Sequence, residues 1–156
     1  MPAKNAFRAR HVDREATIAV ALPLAETFAL FTPEGERRWV PDWEPEYLHR
    51  AEHDGVDTTF RTSHGGEETL WMVLEHDIED GCLGYARVTP GSRLGTVMLD
   101  VEPIDDTSCW VTVCYELTAL SASGNELLGR FTQRAFEEML ADWEARIAAL
   151  AIPVMR

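Results

Sequence analysis

The chain has 156 residues, 46% of them hydrophobic and 26% charged, with a formal net charge of −13 and an isoelectric point near 4.7. That length suits one domain, and the apolar content suffices for a core. So acidic a surface repels a phosphate backbone and an anionic bilayer, which argues against nucleic-acid binding and membrane insertion.

No apolar run approaches the roughly 20 residues of a membrane span, and residues 1–14 hold no apolar signal core. The three cysteines, Cys82, Cys109 and Cys114, are odd in number and lack paired spacing. They point to buried thiols in a reducing cytoplasm rather than to a disulfide framework.

Residues 1–12 read as a loose arm on a single domain spanning 1–156. In Arg14 to Leu22, Ala16, Ile18, Val20 and Leu22 share one face, which predicts a strand that Pro23 stops. Leu24 to Phe31 predicts a short helix. Thr32-Pro33-Glu34 reads as N-cap, first-turn proline and early acid, so a second short helix runs to about Val40. From Tyr47 onward, β-forming segments alternate with turn signals at Asp54-Gly55, Gly65-Gly66, Asp80-Gly81, Pro90-Gly91 and Asp105-Asp106. The segments are Tyr47–His53, Val56–Ser63, Glu68–Ile78, Cys82–Thr89, Arg93–Glu102 and Ser108–Ala119. Loops this short make hairpins, so the six strands form an antiparallel meander.

A capping box at Ser123-Gly-Asn-Glu126 predicts one helix running to about Leu150. Its apolar residues, from Leu128 through Phe136, Met139 and Trp143 to Leu150, fall on one broad face. At about 1.5 Å per residue the helix is about 40 Å long. Only a large concave sheet covers such a stripe. The expected class is therefore α+β: a seven-stranded curved antiparallel sheet around a long C-terminal helix, with two short helices between strands 1 and 2.

This order resembles the START/Bet v1-like superfamily, also called SRPBCC or the polyketide cyclase/dehydrase and lipid transport group. The residues that carry the resemblance are Phe28-Ala-Leu-Phe31-Thr-Pro-Glu-Gly-Glu, Trp39-Val-Pro-Asp-Trp43-Glu-Pro-Glu-Tyr47, Thr69-Leu-Trp71, Tyr85-Ala-Arg-Val-Thr-Pro90-Gly, and the helix after Gly124-Asn125. It covers nearly the whole chain and implies a helix-grip fold with a hydrophobic cavity between sheet and helix. Members of the group bind lipids, sterols, polyketides or plant hormones, and a few are cyclases or hydrolases.

Strand register decides which residues line such a cavity, because a slip of one residue swaps the faces. A two-residue Asp80-Gly81 turn sets Leu74 opposite Arg87, His76 opposite Tyr85 and Ile78 opposite Leu83. Met72 and Leu74 then face inward with Tyr85 and Arg87. A three-residue Pro90-Gly91-Ser92 loop pairs Tyr85 with Val97. Tyr115 joins them from the last strand, and Thr132, Phe136 and Met139 face them from the helix. Trp71 and Trp110 fall outside in this register, unless a bulge turns Trp71 inward.

Each candidate has two readings. Arg87 with Tyr85 either anchors a carboxylate or carbonyl of an apolar ligand, or reaches water at the sheet end. Thr132 either faces the cavity or bonds back to the Leu128 carbonyl. Trp39 and Trp43 form a lid, or anchor an irregular loop. His49 and His53 lie about 13 Å apart in a strand, too far to share a metal. No metal or cofactor is expected. The leading functional expectation is binding of a small hydrophobic or amphipathic molecule: a lipid, a sterol or a polyketide-like compound. One alternative is a cyclase, dehydratase or hydrolase using Tyr85, Arg87 or His76. Another is an interaction module or homodimer that meets its partner through Phe60, Trp71 and Trp110 on the outer face.

Overall fold

The computed structural model describes residues 7–150, which build one antiparallel sheet of seven strands in the order β1-β7-β6-β5-β4-β3-β2. The strands are β1 (His11–Val20), β2 (Glu46–His49), β3 (Thr59–His64), β4 (Glu67–Asp77), β5 (Cys82–Thr89), β6 (Arg93–Asp105) and β7 (Ser108–Ala119). β2 to β7 run as a meander, and β1 closes beside β7. Helix α1 (Leu24–Leu30) and a 3-10 turn over Gly35–Arg38 lie between β1 and β2, while α2 (Ala122–Arg130) and α3 (Gln133–Leu150) follow the sheet. No described helix is long and apolar enough to cross a membrane.

Alternation sets the core. Ile18 and Val20 of β1, Leu83 and Tyr85 of β5, Val97 and Leu99 of β6, and Val111, Val113, Tyr115 and Leu117 of β7 are all buried. Leu128, Phe136, Leu140 and Ile147 meet them from the helices. A fully buried Phe or Leu among them stabilises the fold by about 1.5–3 kcal/mol.

The β5–β6 register matches expectation: Thr89 pairs with Arg93, Tyr85 with Val97 and Leu83 with Leu99. The β4–β5 register does not. Asp77 pairs with Cys82, so the loop holds four residues rather than two. The Asp77 carboxylate accepts from the Asp80 amide (3.1 Å) and closes the loop early. Gly81 ends it at φ +72°, where an added Cβ would lie 2.0 Å from the Val101 carbonyl.

A bulge then falls between Val73 and Glu75, leaving Leu74 as the extra residue. It reverses the faces beyond it. Trp71 pairs with Arg87 and Val73 with Tyr85, so these face inward. Met72 and Leu74 turn to the outer face at 40% and 42% exposure, which corrects their expected place in the cavity. Ile78 sits exposed in the loop. Phe60 is also inside, fully buried and stacked on Trp71. Of the three residues expected on an outer partner surface, only Trp110 is there.

The C-terminal helix comes in two pieces. Ser121, not Ser123, caps α2 by accepting from the Gly124 amide (3.1 Å). The helix breaks at Phe131, and Thr132 caps α3 by accepting from the Ala135 amide (3.1 Å). Thr132 is exposed and does not face a cavity, another correction. The break turns Phe131 onto Tyr115 and Phe136, with ring centroids 5.9 and 5.7 Å apart.

Side chains tie this region to β1. Arg14 Nε donates to the Phe131 carbonyl (2.9 Å), Gln133 Nε2 donates to the Glu15 carbonyl (2.8 Å), and the Ala19 amide donates to Glu144 (2.7 Å). Of the arm expected over residues 1–12, His11 and Val12 are already strand. The coil before them is fastened, with the Arg10 amide donating to Asn125 Oδ1 (2.7 Å). Residues 1–6 lie outside the described residues.

Candidate ligand-binding cleft

Aromatic rings close the middle of the space between sheet and helix. Trp39 packs edge-on against Phe31 (5.6 Å) and Trp143 (5.4 Å), and Tyr115 packs against Phe136 (5.3 Å) and Trp143 (6.3 Å). Beneath them is a void of only about 20 Å³, lined by Phe31, Tyr85, Val97 and Leu99. Above them a cleft of about 370 Å³ opens between the segment around 36–43, the β3–β4 end of the sheet and α3. Glu36, Trp71, Tyr115 and Trp143 border both spaces, so the cleft floor is the roof of the void. Two larger depressions, of about 440 and 410 Å³, lie by loops and strand ends rich in acidic residues and hold no arginine.

Three tryptophans wall the cleft. Trp43 and Trp71 meet edge-on at 5.7 Å, and Trp143 stands opposite on α3. Trp43 Nε1 donates to the Pro33 carbonyl (2.8 Å), which fixes the loop that carries it. Trp39 Nε1 donates to the Leu30 carbonyl (2.8 Å) and is buried, so it belongs to the core beneath the loop. Arg37 braces the same segment by donating to Glu34 (3.1 Å) and Glu44 (2.9 Å).

Arg87 enters from β5. Its guanidinium lies 4.8 Å from the Trp71 ring centre, and Nη2 donates to Thr89 Oγ1 (3.1 Å), itself bonded to Thr69 (2.7 Å). Nε is buried and has no hydrogen-bond partner among the described residues. Burial lowers the guanidinium pKa, though arginine remains charged. On the rim, Arg93 pairs with Glu67 (3.2 Å) and Arg146 with Asp142 (2.7 Å).

Glu36 enters from the 3-10 turn. Gly35 before it runs so close to α1 that an added Cβ would lie 1.6 Å from the Ala29 carbonyl. The residue keeps part of its surface through the cleft, yet burial holds its carboxyl well above the usual carboxylate range. No ion pair among the described residues engages it. Its charge reaches both nearby phenols. Burial chiefly pushes the Tyr115 phenol up to about 12, with Arg87 opposing and Glu36 adding to the rise. The Tyr85 phenol is raised too, by burial and then by Glu36, and its hydroxyl donates to the Phe31 carbonyl (2.7 Å).

The sequence-derived candidates divide accordingly. Arg87, Tyr115 and Trp43 line the cleft, and Tyr85 and Val97 line the void below it. Phe136 is buried and Met139 half-buried against the core, and neither borders either space. His76 faces inward but lies outside the cleft, edge-on to Phe28 at 5.1 Å. Among the described residues no group of three or more His, Cys, Asp or Glu is placed to hold a metal ion.

Sequence reasoning missed Glu36 and Trp143 as site residues and placed Trp71 outside. An acid near the start of a short helix reads as a dipole partner, which hid Glu36. Its position between Gly35 and the aromatic Trp39 was the available signal.

No protein-family model matches the chain, and no curated protein matches it. Solved structures do. The chain is similar to a truncated norcoclaurine synthase from Thalictrum flavum, with a TM-score of 0.68 and 14% identity over 97% of this chain and 99% of that one. It is similar to a START superfamily protein from Mycobacterium smegmatis, with a TM-score of 0.67 and 12% identity over 90% and 99%. A third is the Zhui aromatase/cyclase from Streptomyces sp. R1128, with a TM-score of 0.62 and 16% identity over 90% and 94%. At these identities the likeness defines the fold, which is the START/Bet v1-like helix-grip fold.

Proposed function

We propose that the protein binds a small aromatic or amphipathic molecule with an anionic group in the tryptophan-walled cleft. The observation that carries this reading is Arg87, a residue that lines the cleft and whose Nε is buried without a hydrogen-bond partner among the described residues. A buried donor without a partner costs about 1–3 kcal/mol, and a ligand oxygen removes that cost. Among the cleft cations, Arg93 and Arg146 are already matched by carboxylates.

A volume of about 370 Å³ falls at the small end of ligand pockets, which favours a compact ring over a long-chain lipid or a sterol. The cytoplasm fits the free thiols Cys82, Cys109 and Cys114.

Isothermal titration calorimetry with indole-3-propionate and with neutral indole tests the reading. The carboxylate is expected to bind at least about tenfold more tightly, and Arg87→Met to remove that advantage. Equal binding of the two probes, or an unaffected Arg87→Met variant of unchanged melting temperature, overturns it.

A further inference from the structure

We propose that Glu36 is a cation-binding residue of the same cleft, and that the ligand class is an aromatic zwitterion of the amino-acid type. Its carboxylate meets Arg87, its ammonium meets Glu36, and its ring lies among Trp43, Trp71 and Trp143. This rests on the anion site proposed above and extends it.

Among the described residues the cleft is lined by a guanidinium and a carboxyl group that no ion pair engages, Arg87 and Glu36. The groups around Glu36 do not neutralise it. Tyr85 and Tyr115 are phenols held neutral, Arg93 is matched by Glu67, and Arg146 by Asp142. Asp42 and His64 sit on the exposed rim. A carboxylate taken out of water without a partner is costly, and it escapes that cost by keeping its proton or by meeting a cation. An ammonium in this cleft meets the Glu36 oxygens and the faces of aromatic rings together, and ring faces attract cations. An anion alone leaves Glu36 protonated and unused.

The consequence is proton release. When the ammonium arrives, the Glu36 carboxyl ionises and its proton leaves to the buffer. Affinity for the zwitterion therefore rises with pH as Glu36 loses its proton in the free protein, above the ordinary carboxylate range. Affinity for an anion without an ammonium does not rise in this way.

Calorimetry with four probes tests the proposal: L-tryptophan, indole-3-propionate, tryptamine and indole. L-tryptophan is expected to bind at least about tenfold more tightly than indole-3-propionate or tryptamine. Its apparent enthalpy should differ between phosphate and Tris buffers, corresponding to release of up to one proton. Glu36→Gln should cost L-tryptophan and tryptamine about tenfold, change indole-3-propionate less than about threefold, and abolish the buffer dependence.

If L-tryptophan binds no more tightly than indole-3-propionate, or without proton release, the role of Glu36 is overturned while the anion site stands. If indole-3-propionate binds no better than indole, the anion site falls, and this proposal with it. The buffer comparison uses the unmodified chain, so the test does not depend on the variant folding.

Discussion

A carboxyl removed from water keeps its proton to higher pH, and at Glu36 that has a consequence for stability as well as for binding. The folded pKa is raised above the unfolded one, so the folded chain holds a proton that the unfolded chain has released. The resulting stabilisation is complete below the ordinary carboxylate pKa and is lost as pH rises through the raised value. Glu36→Gln, which is neutral at every pH, should therefore raise the melting temperature at about pH 8, with the gain shrinking toward about pH 4. Differential scanning calorimetry across that range checks it, and a gain independent of pH would mean that the carboxyl is solvated. Arg87 obeys the complementary rule. Stacked on Trp71 and bonded to Thr89, it is pre-positioned, so a ligand gains the contact with little ordering of the side chain.

Among the elements, the segment from α1 through the 3-10 turn sets the cleft, and its tightest point is Gly35. Gly35→Ala sets a methyl against the Ala29 carbonyl, so the turn must move. The expected loss is about 2–3 kcal/mol in chemical denaturation, together with weaker ligand binding as Glu36 is displaced. An alanine variant as stable as the parent would show that the turn yields without cost.

The elements also show what could be read from the chain and what could not. The β5–β6 hairpin was legible because Pro90-Gly91-Ser92 admits one short loop and its flanking strands alternate cleanly. β4 was not, because both of its faces are apolar: Trp71 and Val73 offer as good an inward set as Met72 and Leu74. Pattern cannot choose between such faces. The choice was made by the bulge at Leu74 and by the Asp77 cap, which depend on three-dimensional closure. The helix break was hidden in the same way, since Phe131 continues the spacing of the apolar stripe. The candidate site was legible only in part. Arg87 was visible as a charge in a strand of β-formers, whereas Glu36 matters only because the folded turn takes much of it out of water.

Taken whole, the molecule buries two of its phenols, Tyr85 and Tyr115, and half-buries the third, Tyr47. All three tyrosines, Tyr47, Tyr85 and Tyr115, have pKa values raised chiefly by burial. The folded chain should therefore show little tyrosinate absorbance near 295 nm around pH 10–11, where free phenols are already titrating. Ionisation should arrive with unfolding. Raised phenol values mean that their contribution to stability is lost as pH climbs from about 10 through the folded values. Absorbance and circular dichroism followed together check this, and tyrosinate forming well before the fold is lost would contradict it.

The hydrogen bonds from α3 to β1 bear on how copies of the chain can meet. A sheet of seven strands has two borders, and each exposes backbone groups ready to pair with another strand. Here the long helix occupies one border through Gln133 at Glu15 and Glu144 at Ala19. The other border, β2, spans only Glu46–His49, and a charged Arg61–Glu46 pair stands beside it. Sheet extension from molecule to molecule is discouraged at both ends, so fibre-like growth through these borders is disfavoured.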